Sequence, residues 1–405
     1  MLPVNRQFVA RSIPLAIAAF LCAASPAIAQ DNEWSIDPRG RLQVDFGGVN
    51  ASDAVEAAID GVTPGGLDSD VIVRRFFLGA DISMPGNLTL RVEGDIAGEF
   101  EGGAIAWTDA YLKWDPTDRF SLTVGNHKPA FGLEEQTSDL FPTFMERAAL
   151  ATAFGNERRT GVGAEYRPGD FVLQAGAYLD DLDAIMGGTD QGRSYFGRAV
   201  YTPKIGSSRL HLGARINHRS LDEAGVGIRY STRPFLRTAD ARLVNTGSMA
   251  GVTGETGYGL EFAYISGPFH ATGEVHWQHA DRVGALADPT FSGFYAEAGY
   301  YLTKGDTRGY KNGNFDRTKP GNPVGKGGLG ALQVNVRYDH LDLNDAGIVG
   351  GMQDTYAVGL VWTPTDKTRF IANYARLEYD EAPIAAGGER SYGADAFGVR
   401  AQFDF

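Results

Sequence analysis

Cationic residues are outnumbered in this chain, and where they collect is the first sign of chemistry. Residues 304–329 carry Lys304, Arg308, Lys311, Arg317, Lys319 and Lys326 against only Asp306 and Asp316, in a chain of formal net charge −13. Such a local inversion of sign attracts anions if it lines an enclosed space, and is a solvated basic turn if it does not. Arg74 and Arg75 are adjacent in a strand-like run, where alternation predicts one of the two facing inward. Lys128 and Arg147 fall in the stretch 124–163, VGNHKPAFGLEEQTSDLFPTFMERAALATAFGNERRTGVG. Arginine forks suit bidentate contact with phosphate or carboxylate, whereas lysine acts as a point charge. The candidate anion contacts are therefore Arg74, Arg75, Lys128, Arg147, Lys311, Arg317 and Lys319.

Residues that could do catalysis are less persuasive. His270, His276 and His279 share one strand region, but their spacing fits no metal site, and His279 falls on the opposite face from the other two. They read as polar lining. Gly325-x-Gly327-x-x-Gly330 satisfies a dinucleotide-binding pattern in letters only, because it precedes a strand where the mechanism needs a helix. No residue set argues for a metal or a cofactor, and an enzyme is the distant alternative.

The elements that must hold these groups are strands. Leu42, Val44 and Phe46 alternate with Arg41, Gln43 and Asp45; Leu332, Val334, Val336 and Tyr338 alternate with Gln333, Asn335, Arg337 and Asp339. Similar runs recur along the chain, rich in its 23 phenylalanines and 17 tyrosines. Short connectors such as Met84-Pro85-Gly86-Asn87 and Arg167-Pro168-Gly169-Asp170 separate longer ones at 47–70, 97–103, 180–193, 220–256, 280–290, 342–352 and 378–393. Short turns alternating with long loops predict a transmembrane β-barrel with turns on the periplasmic side, and a mean hydropathy of −0.21 suits it while excluding a helical membrane protein.

Residues 1–29 read as a secretory signal: Arg6 and Arg11 precede the apolar run Ile13–Ala24, and Ala27-Ile28-Ala29 offers a cleavage site. The single cysteine, Cys22, lies inside it. Losing Arg6 and Arg11 takes the net charge of −13 to −15, and an acidic chain argues against nucleic acid as a partner. The alternation continues to Phe405, as in an outer-membrane terminal strand, so residues 30–405 are expected to form one barrel in outer-membrane lipid.

Seventeen strand-like runs are visible, while single-chain bacterial barrels have even numbers. The surplus run, 227–232, is flanked by loop-like sequence and is assigned to the external loop 220–256. Sixteen antiparallel strands remain, an all-β fold wide enough for an aqueous channel. This places the long segment 304–329 on the short-turn side, and makes 125–160 a third external loop whose Phe131, Leu133, Leu140, Phe141, Phe144 and Phe154 need a lumen wall to pack on.

Several stretches resemble the phosphate-selective porin O and P family. They are Arg74-Arg75-Phe76, Asp109-Ala-Tyr-Leu-Lys113, GNHKPAFGLEE with FMERA and GNERRTGVG, STRPFLRTADARLVNTG (231–247), GFYAEAGYYLTKGDTRGY (293–310), HLDLND (340–345) and the terminal RAQFDF. The resemblance implies a homotrimer and passive diffusion of small anions such as phosphate, with the third and fifth external loops and one long periplasmic turn folded into the lumen. Against a strong anion preference stand the inward acids Glu93, Asp95, Asp109, Glu165, Glu261, Glu274, Glu297 and Asp339. A general porin of mixed charge is the alternative they support.

Overall fold

The structure is a computed structural model that describes residues 34–98, 105–189, 191–221 and 227–405. The signal-like segment 1–29 lies outside the described residues. Seventeen strands share one sheet, and one of them, Lys204–Ile205, is a two-residue piece beside a turn, which leaves sixteen wall strands. These are β1 Ser35–Ala51, β2 Asp70–Met84, β3 Leu88–Asp95, β4 Ala106–Thr117, β5 Phe120–His127, β6 Arg159–Tyr166, β7 Phe171–Tyr178 and β8 Gly192–Tyr201. They continue as β9 Ser208–Leu221, β10 Val252–Ser266, β11 Phe269–Arg282, β12 Thr290–Tyr301, β13 Ala331–Asp345, β14 Ile348–Thr365, β15 Thr368–Asp380 and β16 Tyr392–Asp404. Each pairs antiparallel with the next, and β1 closes the cylinder on β16, from Arg41 opposite Asp404 to Ala51 opposite Ala394. The surplus run is a loop, as its flanks implied: Ser231–Thr232 pairs only with Val244–Asn245, outside the wall.

The pleat sorts the side chains. Val336, Tyr356, Val358, Leu360, Tyr374 and Phe397 point outward and are exposed, while Arg337, Asp339, Thr355, Asn373 and Arg400 on the same strands are buried on the inner face. An apolar belt of this kind faces lipid. Near the short turns aromatic pairs cross neighbouring strands, with Trp362 stacked on Phe370 at 5.3 Å and Phe171 against Tyr201 at 4.9 Å.

Two sequence expectations are corrected. The stretch 342–352 is no long loop: β13 runs to Asp345 and β14 begins at Ile348, joined by Ala346 and Gly347 with φ of 51° and 81°. Both central residues are left-handed, as a tight primed hairpin turn requires, and Asp345-Ala346-Gly347 carries a weaker turn signal than Asn-Gly. The second concerns Arg74 and Arg75. The β1–β2 register shifts between Gln43, opposite Arg75, and Val44, opposite Val73, so Arg74 is the extra residue of a bulge. A bulge breaks the alternation. Both arginines reach the inner face, Arg74 to Glu146 and Arg75 to Asp139.

Glycines on the inner face give the third loop its seats. A Cβ at Gly293 would lie 2.9 Å from the Leu150 side chain, and one at Gly359 would lie 3.1 Å from the Phe144 ring. Gly293→Leu is expected to cost about 1–3 kcal/mol through overpacking, read as a lower temperature for loss of the folded band in a heat-modifiability gel.

Candidate functional site

The third external loop, L3 (128–158), leaves β5 and is fastened along the inner wall. Its short helices, Leu133–Gln136 and Ala149–Phe154, bury Leu133, Leu150 and Phe154. Phe144 packs edge-on to Phe235 at 6.2 Å, and Phe131 lies under the Arg215 guanidinium at 4.6 Å. Many polar atoms of the loop are matched by partners on the wall. Arg400 binds Asp45 through two bonds of 2.7 and 2.6 Å, reaches Glu146 at 2.9 Å and donates to the Met145 carbonyl at 2.6 Å. Arg337 bridges Glu134 at 2.7 Å and Glu297 at 2.8 Å. Glu274, held by Arg215, accepts the backbone N–H groups of Leu133 and Glu134, and Asp339 accepts that of Ala149 at 2.7 Å. Arg41 pairs with Glu93 and Asp139.

These contacts reassign the inward acids. Glu261 is paired with Arg198 at 2.7 Å, Glu297 with Arg337, Asp109 with Arg158 at 2.7 Å and Glu165 with Arg167. Most are neutralised by wall or loop arginines. The histidines are also fixed: His276 is buried against Phe131 and Phe154 and bonded to Gln278, and His270 is bonded to Gln333. His279 sits on the outer face with Thr290, and its ring lies with Asp281 and Asp288 in a group whose ligand atoms fall within 4.8 Å of one another.

Among the described residues, two large cavities flank L3. The larger, about 430 Å³, lies between L3 and the periplasmic segment, and Lys113, Lys128, Arg167 and Lys311 line it against Glu165 and Asp316. The other, about 350 Å³, lies between L3 and the fifth external loop, L5 (described over 227–251); there Arg74, Arg75, Arg147, Arg229, Arg233, Arg237 and Arg242 face Glu135, Glu146, Glu157 and Asp339. Four cations meet two acids in one cavity, and seven meet four in the other. Of the sequence candidates, Arg74, Arg75 and Arg147 thus come together above the loop and Lys128 and Lys311 below it. Arg317 does not join them. It is paired with Asp404 and stacked on Phe141 at 5.0 Å. Lys319 is exposed and lines neither cavity. The basic 304–329 segment is therefore divided: Arg308 and Arg317 are packed, while Lys304, Lys319 and Lys326 are exposed.

The four L5 arginines were not among the candidates. Phe235, in the left-handed region at φ 67°, and Leu236 insert as wedges that turn Arg233 and Arg237 toward the cavity rim. Arg229 and Arg237 have no hydrogen-bond or ion-pair partner among the described residues, and Arg242 meets only the carbonyls of Asp240 and Ala241. Burial, then Arg233, Arg237 and Arg229, push Arg242 down to about 10. The signal was present: four arginines between 229 and 242 stand against Asp240 alone, the same inversion of sign that marked 304–329.

A closed barrel with an inward-folded L3 and cationic cavities invites comparison with known channels. The model of the family described as phosphate-selective porin O and P matches residues 38–405. The chain belongs to that family. It is a bacterial outer-membrane porin. An uncharacterized protein of Caulobacter vibrioides is 42% identical over 380 residues, 92% of this chain and 74% of its own. Porin O of Pseudomonas aeruginosa is 28% identical over 414 residues, 93% of this chain and 89% of its own. Among solved structures, the anion-selective porin from Comamonas acidovorans superposes with a TM-score of 0.57 at 14% identity, over 92% of this porin and 100% of that one. At that identity the likeness concerns the fold.

Two L3 groups of the porin titrate near neutrality. Burial, reinforced by Arg147 and opposed by Glu135, pushes the Lys128 ammonium down to about 7. Burial also pushes the Glu134 carboxyl up to about 7, against the opposing effect of Arg337. Burial would raise Glu146 as well, but Arg74 and Arg400 hold it well below the usual carboxylate range. As pH rises through about 7, Lys128 loses its positive charge and Glu134 gains a negative one, so both changes lower the charge of L3. The ratio of chloride to potassium permeability is expected to fall between about pH 6 and about pH 8. Reversal potentials at the two values check this, and Lys128→Met, neutral throughout, should flatten the change.

The tether has its own test. Arg400→Met strands Asp45, leaves Glu146 to Arg74 alone and is expected to cost about 3–5 kcal/mol. Single-channel traces should then show added open-state noise as L3 loosens, with the barrel still inserting.

Proposed function

We propose that this porin is a passive aqueous pore for small solutes that prefers anions, phosphate among them. It conducts without a catalytic step. Residues 1–29 direct export and are removed, L3 narrows the bore, and three copies associate side by side in outer-membrane lipid, as the family resemblance implies. The observation that carries the reading is the excess of cations over acids in both cavities flanking L3, in a protein that is acidic overall. Selectivity in a wet pore is set by the charges that remain uncompensated at the narrow part of the path, and net composition has little say there. Among those charges are Lys128, Lys311 and the unpaired L5 arginines, while Arg74, Arg75 and Arg147 are held by Glu146, Asp139 and Glu135.

The reversal potential of the pure protein in a bilayer under a KCl gradient tests the sign. A potential toward the chloride equilibrium value is expected, and Arg237→Glu should move it at least several millivolts toward the potassium value, since it reverses a lining charge with no partner to lose. A cation preference in the native protein would refute the reading. Phosphate added to the same cell should lower the chloride conductance as it competes for the path, and a conductance indifferent to phosphate would leave a general anion pore.

A further inference from the structure

The cavity between L3 and L5 holds more than positive charge. On one side are Arg229, Arg237 and Arg242, none of which is hydrogen-bonded or ion-paired to a carboxylate among the described residues. On the other are Glu135 of L3, Asp339 of β13 and Gln353 of β14, all lining the same cavity and each no more than 3% exposed. Each carries one buried oxygen with no hydrogen-bond donor: Oε1 of Glu135, Oδ1 of Asp339 and Oε1 of Gln353. The remaining polar atoms of the three are committed elsewhere, Asp339 to the Ala149 N–H, Gln353 to Thr355 and Glu135 to Arg147. Buried acceptors left without donors are rare in folded proteins and point to a water or a ligand.

A simple oxyanion answers only half of this arrangement. Sulfate offers acceptors alone, and its charge is repelled by Glu135 and Asp339. Hydrogen phosphate offers one donor. We infer that the L3–L5 cavity is a site for a small organic anion bearing hydroxyl donors, a polyol phosphate being the simplest member of the class. Its anionic head meets the L5 arginines and its hydroxyls donate to Glu135, Asp339 and Gln353. A cavity of about 350 Å³ has the volume of about a dozen waters and lies in the range of small-molecule sites, so head and polyol tail both fit. The inference rests on the anion-pore reading above and names the solute that the site favours.

The test uses the intact channel in a bilayer in KCl near pH 7, titrated separately with glycerol 1-phosphate, inorganic phosphate and sulfate. The concentration that halves the chloride conductance is read for each. Glycerol phosphate is expected to block at roughly tenfold lower concentration than sulfate, the equivalent of one or two hydrogen bonds, with phosphate between them. Gln353→Leu removes an acceptor without changing charge, so it should shrink the lead of glycerol phosphate and leave sulfate where it was. Asp339→Asn keeps an oxygen for Ala149 but replaces an acceptor by a donor and removes a negative charge; sulfate should block more tightly and the lead should vanish. Block by all three anions in order of charge alone, or a lead that survives both variants, overturns the inference while the anion pore stands. A native channel that prefers cations fails the earlier reading instead. Retention of heat-modifiable mobility shows that a variant is folded.

Discussion

The structure depends on a set of buried arginine–carboxylate contacts that hold one long loop inside a barrel. Placing charges away from bulk water costs several kcal/mol per ion unless each finds a partner and its spare hydrogen-bonding capacity is met. Arg400 meets both conditions, with Asp45, Glu146 and the Met145 carbonyl around one guanidinium. Arg337 does the same with Glu134 and Glu297, its Cζ lying 4.5 Å from the centre of the Phe144 ring. A loop with free backbone groups could not lie against a wall of aliphatic residues. This wall presents guanidinium forks to the carbonyls of Leu140, Pro142 and Met145, and carboxylates to the N–H groups of Leu133, Glu134 and Ala149. The apolar side chains then settle on glycines at 293 and 359.

The sign of the pore follows from the same contacts. Counting inward residues suggests a lumen of mixed charge, yet Glu261, Glu274 and Glu297 are matched by Arg198, Arg215 and Arg337 beneath the loop. A matched pair contributes little field at a distance, so what a passing ion meets is the remainder. That remainder is cationic because L5 places Arg229, Arg237 and Arg242 together, outside ion-pair distance of any carboxylate among the described residues, and because Lys128 lies at the loop itself. An acidic protein can thus carry a basic path, and overall charge informs about solubility more than about conduction.

Strand number, direction and the position of the unusual segments were legible in the sequence because period two and turn length are local properties. The inward acids were legible as positions, but their partners were not. Arg337 and Glu134 are 203 residues apart, and no local pattern joins them. Arg74 was misplaced by half because a bulge leaves no mark in a run such as Val71-Ile72-Val73-Arg74-Arg75-Phe76. The L5 arginines are visible as letters, but length is the louder signal in the loop 220–256, whereas charge is the louder one in the segment 304–329. Weighing both for charge would have found them. Which cations are free is a property of the assembled lumen alone.

The periplasmic segment shows why charge and length had to be read together. Its length is what lets it climb from the turn level to L3: Phe315 joins Leu133, Ala263 and Ile265 in a small apolar cluster, and Arg317 stacks on Phe141 while pairing with Asp404 of the closing strand. Arg198 fixes the tip through the Gly313 carbonyl, and Tyr310 bonds His211. The segment and L3 therefore brace each other from opposite ends. By narrowing the space between them, they leave a cavity that Lys128 and Lys311 both line, so a path through it passes close to both charges. At about 0.15 M salt charges are screened within roughly 8 Å in bulk solution, so cations can govern selectivity only where the path passes that close to them. Two intruding segments bring the path that close, which a sixteen-strand cylinder alone could not do.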